Sequence, residues 1–450
     1  DLRHGRQLVA PGTIAAIAVF LLAYLFIISE KIHRTKIALM GGVLLIVFHI
    51  LTQHEAFDFI DFNTIGLLAG MMLLISVLKE TGVFTWVAIS IAKKSGGNAW
   101  KILLWFSIFT AIASALLDNV TTVLLIAPIT ILIAEMLDIS PFPFLIAEIL
   151  AANIGGTATL IGDPPNILIG SATGLSFLDF VVHLGPVSII VLVVTLVLLK
   201  VIFRKQLATG SESIRETIAG MDETKVIKDP VLLKRSLIVL GMTIVGFLLH
   251  GWIHLEPATV ALTGGGILLI WSGTDIEKRL GEVEWTTLFF FMGLFVLVGG
   301  LEKTGVLEFL AGRVLAMTTN LTLLCLAILW VSAIASAFLD NIPFVAAMIP
   351  LMMRISAALF PNTEGLDEAA YQLWLMKHAM PLWWSLALGA CLGGNGTLVG
   401  ASANVVIAGF SEKTKSPLNF RNYFRYGFPL MILSIILASC YLLARYLLAW

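Results

Sequence analysis

Two Asp-Asn pairs stand inside long apolar stretches of this chain, Asp118-Asn119 and Asp340-Asn341. A charge at the centre of a bilayer costs about 2.5–3.5 kcal/mol on insertion scales, so such residues are expected where they line a site. Carboxylates bind cations or protons, and amides both donate and accept hydrogen bonds, which suits a hydroxylated solute. The alternative is that each pair only caps its own helix. We favour a binding site, because a residue that only caps a helix could lie in water and has no need to lie at membrane depth.

One segment of the chain occurs twice, and each copy carries one of these pairs. Residues 111–128 read AIASALLDNVTTVLLIAP and residues 333–350 read AIASAFLDNIPFVAAMIP, which are identical at ten of 18 positions. Unrelated segments of average composition would share roughly one or two. The repetition of a pair that is costly in apolar surroundings indicates function.

Further matches extend the repeat over nearly the whole chain. LKETGV at 78–83 is matched by LEKTGV 223 residues later, and GGTATLIGDPPN at 155–166 is matched by GGNGTLVGASAN 238 residues later. The sequence therefore predicts two transmembrane repeats with a polar cytoplasmic linker between them, at 1–205, 232–450 and 206–231 respectively.

The composition is that of a membrane protein. Hydrophobic residues make up 58% of the 450 and charged residues 13%, whereas a soluble domain carries about 25% charge. The apolar segments are long and lack the alternation of a membrane barrel, so the expected fold is an all-α polytopic membrane protein. A net charge of −1 gives no basic surface for nucleic acid. No metal-binding motif or P-loop occurs, so we expect no metal and no cofactor.

Each half is predicted to contain three spans, a hydrophobic stretch around its Asp-Asn pair, a Gly-rich broken helix and a last span. The hydrophobic stretch is long enough for two passes or for a re-entrant helical hairpin. In the first half these elements are expected at about 10–29, 36–52, 63–80, 100–137, 143–175 and 178–203.

The distribution of positive charge orients these elements. If the hairpins do not cross, each half has five crossings, and all but seven of the 28 Lys and Arg residues fall on one side. The positive-inside rule makes that side cytoplasmic and places both termini outside. An odd number of crossings makes the repeats inverted, which is typical of secondary transporters with a site at the midplane.

The broken helices are indicated by clustered glycines, Gly155-Gly156 and Gly393-Gly394, beside Thr and Asn. Irregular backbone at membrane depth is tolerated where it lines a cavity or is buried in protein. Pro164-Pro165 should restart a helix near Asn166. The alternative is a packing kink that uses small residues.

Two intramembrane carboxyl groups have no counterpart in the other half. Asp163 corresponds to Ala401, and Glu148 corresponds to Leu386. A carboxyl group in apolar surroundings can take up and release a proton near neutral pH, so either residue could carry a coupling proton. A purely structural hydrogen bond is an equal alternative for each.

Two other residue types are less informative. Cys391 lies two residues before Gly393, and we read it as a small buried hydrophobe rather than a soft ligand. Trp374, Trp383 and Trp384 are predicted to form an aromatic belt at the membrane surface.

The motifs resemble a known family. LDNVTTVLLIAP with NIGGTATLIGDPPN, and LDNIPFVAAMIP with GGNGTLVGASANVVIAGFSEK, are similar to the ArsB/NhaD branch of the ion transporter superfamily, in particular to P-protein-like and ArsB-like arsenite permeases. The resemblance covers essentially the full chain and implies two inverted repeats, each with a re-entrant hairpin and an unwound helix. The substrate-binding residues that it implies at the central site are Asp118, Asn119, Thr122, Gly156, Thr157, Asn166, Asp340, Asn341, Asn395, Thr397 and Asn404.

The sequence therefore predicts a secondary active transporter of the cytoplasmic membrane and not an enzyme. Arsenite or antimonite, exported in exchange for protons, is the favoured substrate, because arsenite is a small pyramid of three hydroxyls that amides can bind. A Na⁺/H⁺ antiporter is the first alternative, and an anion transporter, a passive channel or a sensor are others. The Asp-Asn pairs depart from the Ser-Asn-Thr motifs of dicarboxylate carriers, which disfavours that substrate class.

The expected partners are the lipid bilayer, protons and a small inorganic solute or ion. Related superfamily members are often homodimers that work by an elevator motion, so the resemblance implies the same here. Any use of ATP would require a separate ATPase subunit.

Overall fold

The computed structural model of this chain describes residues 11–29, 31–136, 138–207, 226–362 and 365–447, in which regular structure is entirely helical. The predicted linker at 206–231 lies mostly outside these residues. Ten of the described helices are long and apolar enough to cross a membrane. These observations confirm the predicted polytopic helical fold.

The first half contains ten described helices. They are α1 Pro11–Ser29, α2 Arg34–Val47, α3 Gln53–Asp58, α4 Phe62–Glu80, α5 Val83–Lys94, α6 Ala99–Leu116, α7 Asn119–Met136, α8 Phe142–Thr157, α9 Pro164–Thr173 and α10 Phe177–Ile202.

The second half repeats this series, so that each helix has its counterpart ten numbers later. The helices are α11 Pro230–Ile253, α12 Pro257–Ser272, α13 Ile276–Gly281, α14 Trp285–Lys303, α15 Val306–Met317, α16 Leu321–Phe338, α17 Asn341–Leu359, α18 Glu368–Gly393, α19 Ser402–Ser411 and α20 Phe420–Leu442.

Local sequence signals account for the helix boundaries. The span expected to reach residue 52 ends at Val47, and His49 beyond it takes a left-handed backbone conformation with φ 54°. Thr52 and Glu55 then form a capping box that starts the short helix α3. The matched residues Asn98 and Asn320 cap α6 and α16, each accepting a hydrogen bond from a backbone N–H in the first turn.

The two repeats pack against each other through a reciprocal contact. Helix α2 lies on α14, and its counterpart α12 lies on α4. A Cβ at Gly293 would come within 2.5 Å of the Ala38 backbone, and a Cβ at Gly70 within 2.5 Å of the Ala261 backbone. Glycine is therefore required at both close approaches. The same contact made twice relates the halves by a pseudo-two-fold axis, in agreement with inverted repeats.

Two ion pairs between the repeats follow the same relation. Lys303 Nζ lies 2.5 Å from Glu55 Oε1, and Lys278 Nζ lies 2.6 Å from Glu80 Oε1. Lys278 is the counterpart of Glu55, and Glu80 is the counterpart of Lys303. Both repeats therefore contribute to an ion pair at the same two positions, but the acidic and the basic residue are exchanged between them.

In each repeat the first arm of a helical hairpin packs on the broken helix. The Ser114 hydroxyl donates to the Ala152 carbonyl at 2.6 Å, and Ser336 donates to Ala390 at 2.6 Å. A Cβ at Gly155 would lie 2.2 Å from the carbonyl oxygen of Ala111. The glycine beside each break therefore allows the hairpin to approach it closely.

The predicted aromatic belt is wrong for two of its three residues. Trp383 and Trp384 are fully buried, and the Trp384 ring stacks on His183 and meets Phe180 edge-on. Both residues precede the second break inside the protein, and helix α10 covers Trp384 there.

Candidate functional site

Both hairpin tips reach the broken helices. Asn119 Nδ2 donates to Asn153 Oδ1 at 3.2 Å, and Asn341 Nδ2 lies 3.3 Å from both carboxylate oxygens of Asp163. All four side chains are buried. In the predicted inverted arrangement, a centre that both tips reach would lie at similar depth from the two membrane faces.

Two asparagines stabilise the unwound segments. Asn166 Nδ2 donates to the carbonyl oxygens of Gly156 at 3.4 Å and Thr159 at 2.9 Å. Asn404 Nδ2 makes the matching bonds in the second break, at 2.7 Å to Gly394 and 2.9 Å to Thr397. These bonds satisfy carbonyl groups that lose their helical partners at the breaks.

Asn153 joins the two repeats, and sequence reasoning missed it. Its Nδ2 donates to Asn395 Oδ1 at 3.0 Å and to Asn404 Oδ1 at 2.9 Å. The counterpart of Asn153 is Cys391, whose thiol donates to Asn166 Oδ1 at 3.5 Å. Because this counterpart is a cysteine and not an amide, identity between the repeats does not single out Asn153.

Some polar atoms at the centre lack a protein partner. Thr122 Oγ1 and Asn395 Nδ2 are buried and make no hydrogen bond to the residues that the structure describes. Buried polar atoms nearly always have a partner. These two are therefore candidates to bind a solute that reaches the centre.

The Asp residues of the tips also cap their helices, as the alternative interpretation expected. Asp118 Oδ1 accepts a bond from the Thr121 N–H at 2.7 Å, and Asp340 Oδ1 accepts one from the Ile342 N–H at 3.1 Å. Capping uses one carboxylate oxygen of each residue. The second oxygen remains available for another role.

Arg34 binds the second oxygen of Asp340, and sequence reasoning counted this arginine only as a cytoplasmic charge. Its Nη1 lies 2.5 Å from Asp340 Oδ2 and 2.8 Å from Ser402 Oγ. The guanidinium also lies over the Phe290 ring, 4.9 Å from its centroid. Among the described residues, Asp118 has no ion-pair partner.

The two candidate proton carriers lie in different places. Asp163 is at the centre and contacts the second tip. Glu148 is buried on α8 and accepts a hydrogen bond from the Thr130 hydroxyl, while its Oε2 has no partner in the described part of the chain. Thr130 is 11 residues beyond Asn119, about 16 Å along α7. The structure thus brings Asp163 to the centre and leaves Glu148 outside it.

Eleven residues were expected at the site, and eight of them are joined to the two tips and breaks by hydrogen bonds, whereas Asp118 and Asp340 cap the tips and Thr122 has no hydrogen-bond partner in the described part of the chain. Their binding of a substrate stays a prediction. They come from both hairpin tips and both breaks: Asp118, Asn119, Thr122, Gly156, Thr157, Asn166, Asp340, Asn341, Asn395, Thr397 and Asn404.

Inverted repeats that meet at a buried polar centre define a secondary-transporter architecture. The chain belongs to the citrate transporter family (CitMHS), whose profile matches residues 24–389. It is a multi-pass membrane transporter of the ion transporter superfamily.

Its relatives are membrane proteins of similar or greater length. A 46 kDa membrane protein of Mycobacterium leprae is 42% identical over 440 residues, covering 97% of this chain and 99% of that protein. An uncharacterized transporter of Mycobacterium tuberculosis is 41% identical over 441 residues, covering 96% and 99%. The P protein of Homo sapiens is 33% identical over 513 residues, covering 96% of this chain and 60% of that protein.

A solved structure has a similar fold. The crystal structure of the Alcanivorax borkumensis YdaH transporter, described as having an unusual topology, aligns with a TM-score of 0.59 at 13% identity, covering 98% of this chain and 99% of that chain. At this identity the similarity concerns the fold alone.

Proposed function

We propose that the chain exports arsenite or antimonite across the cytoplasmic membrane in exchange for protons, as a member of the ArsB/NhaD branch. The observation that carries this proposal is the amide network Asn119–Asn153–Asn395/Asn404, which both repeats build. Amides donate and accept hydrogen bonds, as a neutral molecule with three hydroxyls does. The unpartnered Asn395 Nδ2 supplies a donor for such a solute.

The chemistry of the centre argues against a polycarboxylate such as citrate. Carboxylates are recognised mainly by cations and charge-assisted hydrogen bonds. In the described part of the chain, the network consists of amides, hydroxyls, a thiol and carboxyl groups. Arg34 lies at its edge and is already paired with Asp340. A tricarboxylate would therefore meet more negative charge than positive.

A Na⁺/H⁺ antiporter is the second candidate, and the carboxyl groups favour it. Asp163 contacts Asn341, the chain neighbour of Asp340, so carboxyl groups of both repeats lie near this centre. Three carboxylates around one centre could share a cation or a proton, and oxygen ligands suit Na⁺. Arsenite and Na⁺ remain to be distinguished by transport.

For the coupling proton we propose Asp163 in preference to Glu148. Asp163 contacts Asn341 directly, so a change in its charge reaches the second tip without an intermediary. Its counterpart Ala401 cannot titrate, so the coupling role would belong to one repeat only. We further propose that both termini lie outside and that the chain works as an elevator-type homodimer.

Uptake into everted vesicles tests the proposal. With a proton gradient imposed, arsenite should accumulate in vesicles that contain the protein, and collapsing the gradient should release it. Addition of Na⁺ should leave the gradient unchanged. Na⁺-induced dissipation of the gradient without arsenite uptake would establish the antiporter instead, and uptake of citrate alone would refute both.

A further inference from the structure

An arginine of the first repeat holds the tip of the second hairpin, whereas no described residue pairs with the first tip in this way. Arg34 contacts both Asp340 and Ser402, and the Ser402 hydroxyl itself donates to Asp340 Oδ2 at 2.8 Å. We name these three residues the clasp. The counterparts of Arg34 and Ser402 are Pro257 and Pro164, whose side chains have no donor.

We propose that Arg34 is a positioning residue whose contact with Asp340 keeps this carboxylate from binding the cargo. We also propose that the clasp opens once in each transport cycle. Asp118 is then the tip carboxylate that meets the cargo. The inference rests on the proposed transport function and deepens it by giving the two repeats different tasks.

The clasp connects helices that must move relative to each other. Arg34 begins α2, which packs on α1 and α14, whereas Asp340 and Ser402 belong to the second hairpin and the second broken helix. Alternating access exposes a central site first to one face and then to the other. Any displacement of the second tip from α2 breaks the clasp.

The exposure of the clasp allows it to open. The side chains of Arg34 and Asp340 remain 28% and 15% exposed, so water can replace the contacts that are lost. A fully buried ion pair would resist separation much more strongly. The clasp also borders a cavity of 340 Å³, lined in part by Tyr24 and Val406, which gives the tip room to shift.

Thiol labelling tests the clasp independently of the cargo. Val406 lies one turn after Ser402 and lines the same cavity. With the three cysteines replaced by Ser and Val406→Cys introduced, Arg34→Gln should raise the rate of modification by a membrane-impermeant maleimide several-fold. Arg34→Lys should retain the slow rate, since it keeps the charge. Lys36→Gln, an exposed cation two residues away, is the matched control and should also remain slow.

Transport kinetics then separate positioning from cargo binding. Arg34→Gln and Asp340→Asn should each lower the Vmax of arsenite uptake about tenfold with little change in KM. The double variant should be no worse than either single variant, because the two residues act as one unit. Asp118→Asn should raise KM instead.

Several results would overturn the clasp. These are unchanged labelling with Arg34→Gln, additive losses in the double variant, or a raised KM with Arg34→Gln, which would make Arg34 a cargo ligand. If the unmodified protein takes up no arsenite, the proposed function fails, and the labelling rates still decide whether the clasp exists.

Discussion

The two hairpin tips carry the same Asp-Asn pair and use it differently. In the first tip, Asn119 bonds Asn153 of its own repeat, and the contacts of Asp118 within the described residues are those of a helix cap. In the second tip, Asn341 bonds Asp163 of the other repeat, and Asp340 is held by Arg34. The pair itself is shared, so the difference comes from the residues that surround it.

Those surrounding residues differ in both directions. The first repeat has Asp163 and Asn153 where the second has Ala401 and Cys391, whereas the second has Ser402 where the first has Pro164. The contacts that position the backbone did not change, as the matched bonds of Asn166 and Asn404 show. Duplication thus preserved the scaffold of the site while its chemistry diverged.

Replacing Asp163, whose carboxyl group has no counterpart in the second break, should have the largest effect on transport. Asp163→Asn keeps a polar partner for Asn341 and cannot take up a proton, so uphill, pH-dependent accumulation of arsenite should disappear while exchange persists in part. Glu148→Gln, outside the centre, should retain coupling. Accumulation measured against external pH checks both variants. Full uphill transport by Asp163→Asn would move the coupling role to Asp118 or Asp340.

Truncating the tip asparagines tests whether the two tips form one site. Asn119→Ala and Asn341→Ala should each reduce uptake by about ten- to hundredfold, because each leaves a buried partner unsatisfied. Asn98→Ala and Asn320→Ala, which remove exposed caps from the same two hairpins, are matched controls and should transport nearly normally. If one tip variant transports like its control, the site belongs to a single repeat.

The Asn153 and Cys391 positions should differ in importance. Asn153→Ala removes two inter-repeat hydrogen bonds and should lower uptake about tenfold. Cys391→Ser should change it by no more than about threefold, because the thiol is a weak donor and serine replaces it. Initial rates at equal protein level make the comparison. A greater loss with Cys391→Ser than with Asn153→Ala would indicate that the thiol binds the cargo.

Breaking one of the exchanged ion pairs should have the smallest effect, and this effect is on thermal stability and not on transport. The side-chain hydrogen bond from Lys303 lowers the pKa of Glu55 to about 2. The stability that this pair contributes is therefore present above about pH 4.5 and is lost as the pH falls toward 2. Glu55→Gln should lower the Tm by only about 1 °C at pH 7, because the pair is exposed. Thermal melts at pH 7 and pH 3 would test this, and a difference that grows at pH 3 would contradict it.

Much of this organisation could be predicted from the sequence, because repetition and glycine patterns are local signals. The repeats, the Pro164 restart and the gathering of the tips at the breaks all follow from them. Asn153 could not be recognised by identity, since its counterpart is a cysteine. The contact of Arg34 with the second tip could not be predicted, because a charged residue near the end of a span ordinarily indicates a loop. The burial of Trp384 depends on α10, which no local pattern reveals.

The exchanged charges of the inter-repeat ion pairs have a consequence for assembly. Two copies of the first half brought together in this arrangement would set Glu55 against Glu80, and two copies of the second half would set Lys278 against Lys303. Both combinations are repulsive, whereas one half of each kind gives two attractive pairs. These charges therefore favour pairing of a first half with a second half over pairing of two identical halves. Separately expressed halves would recognise each other in preference to themselves.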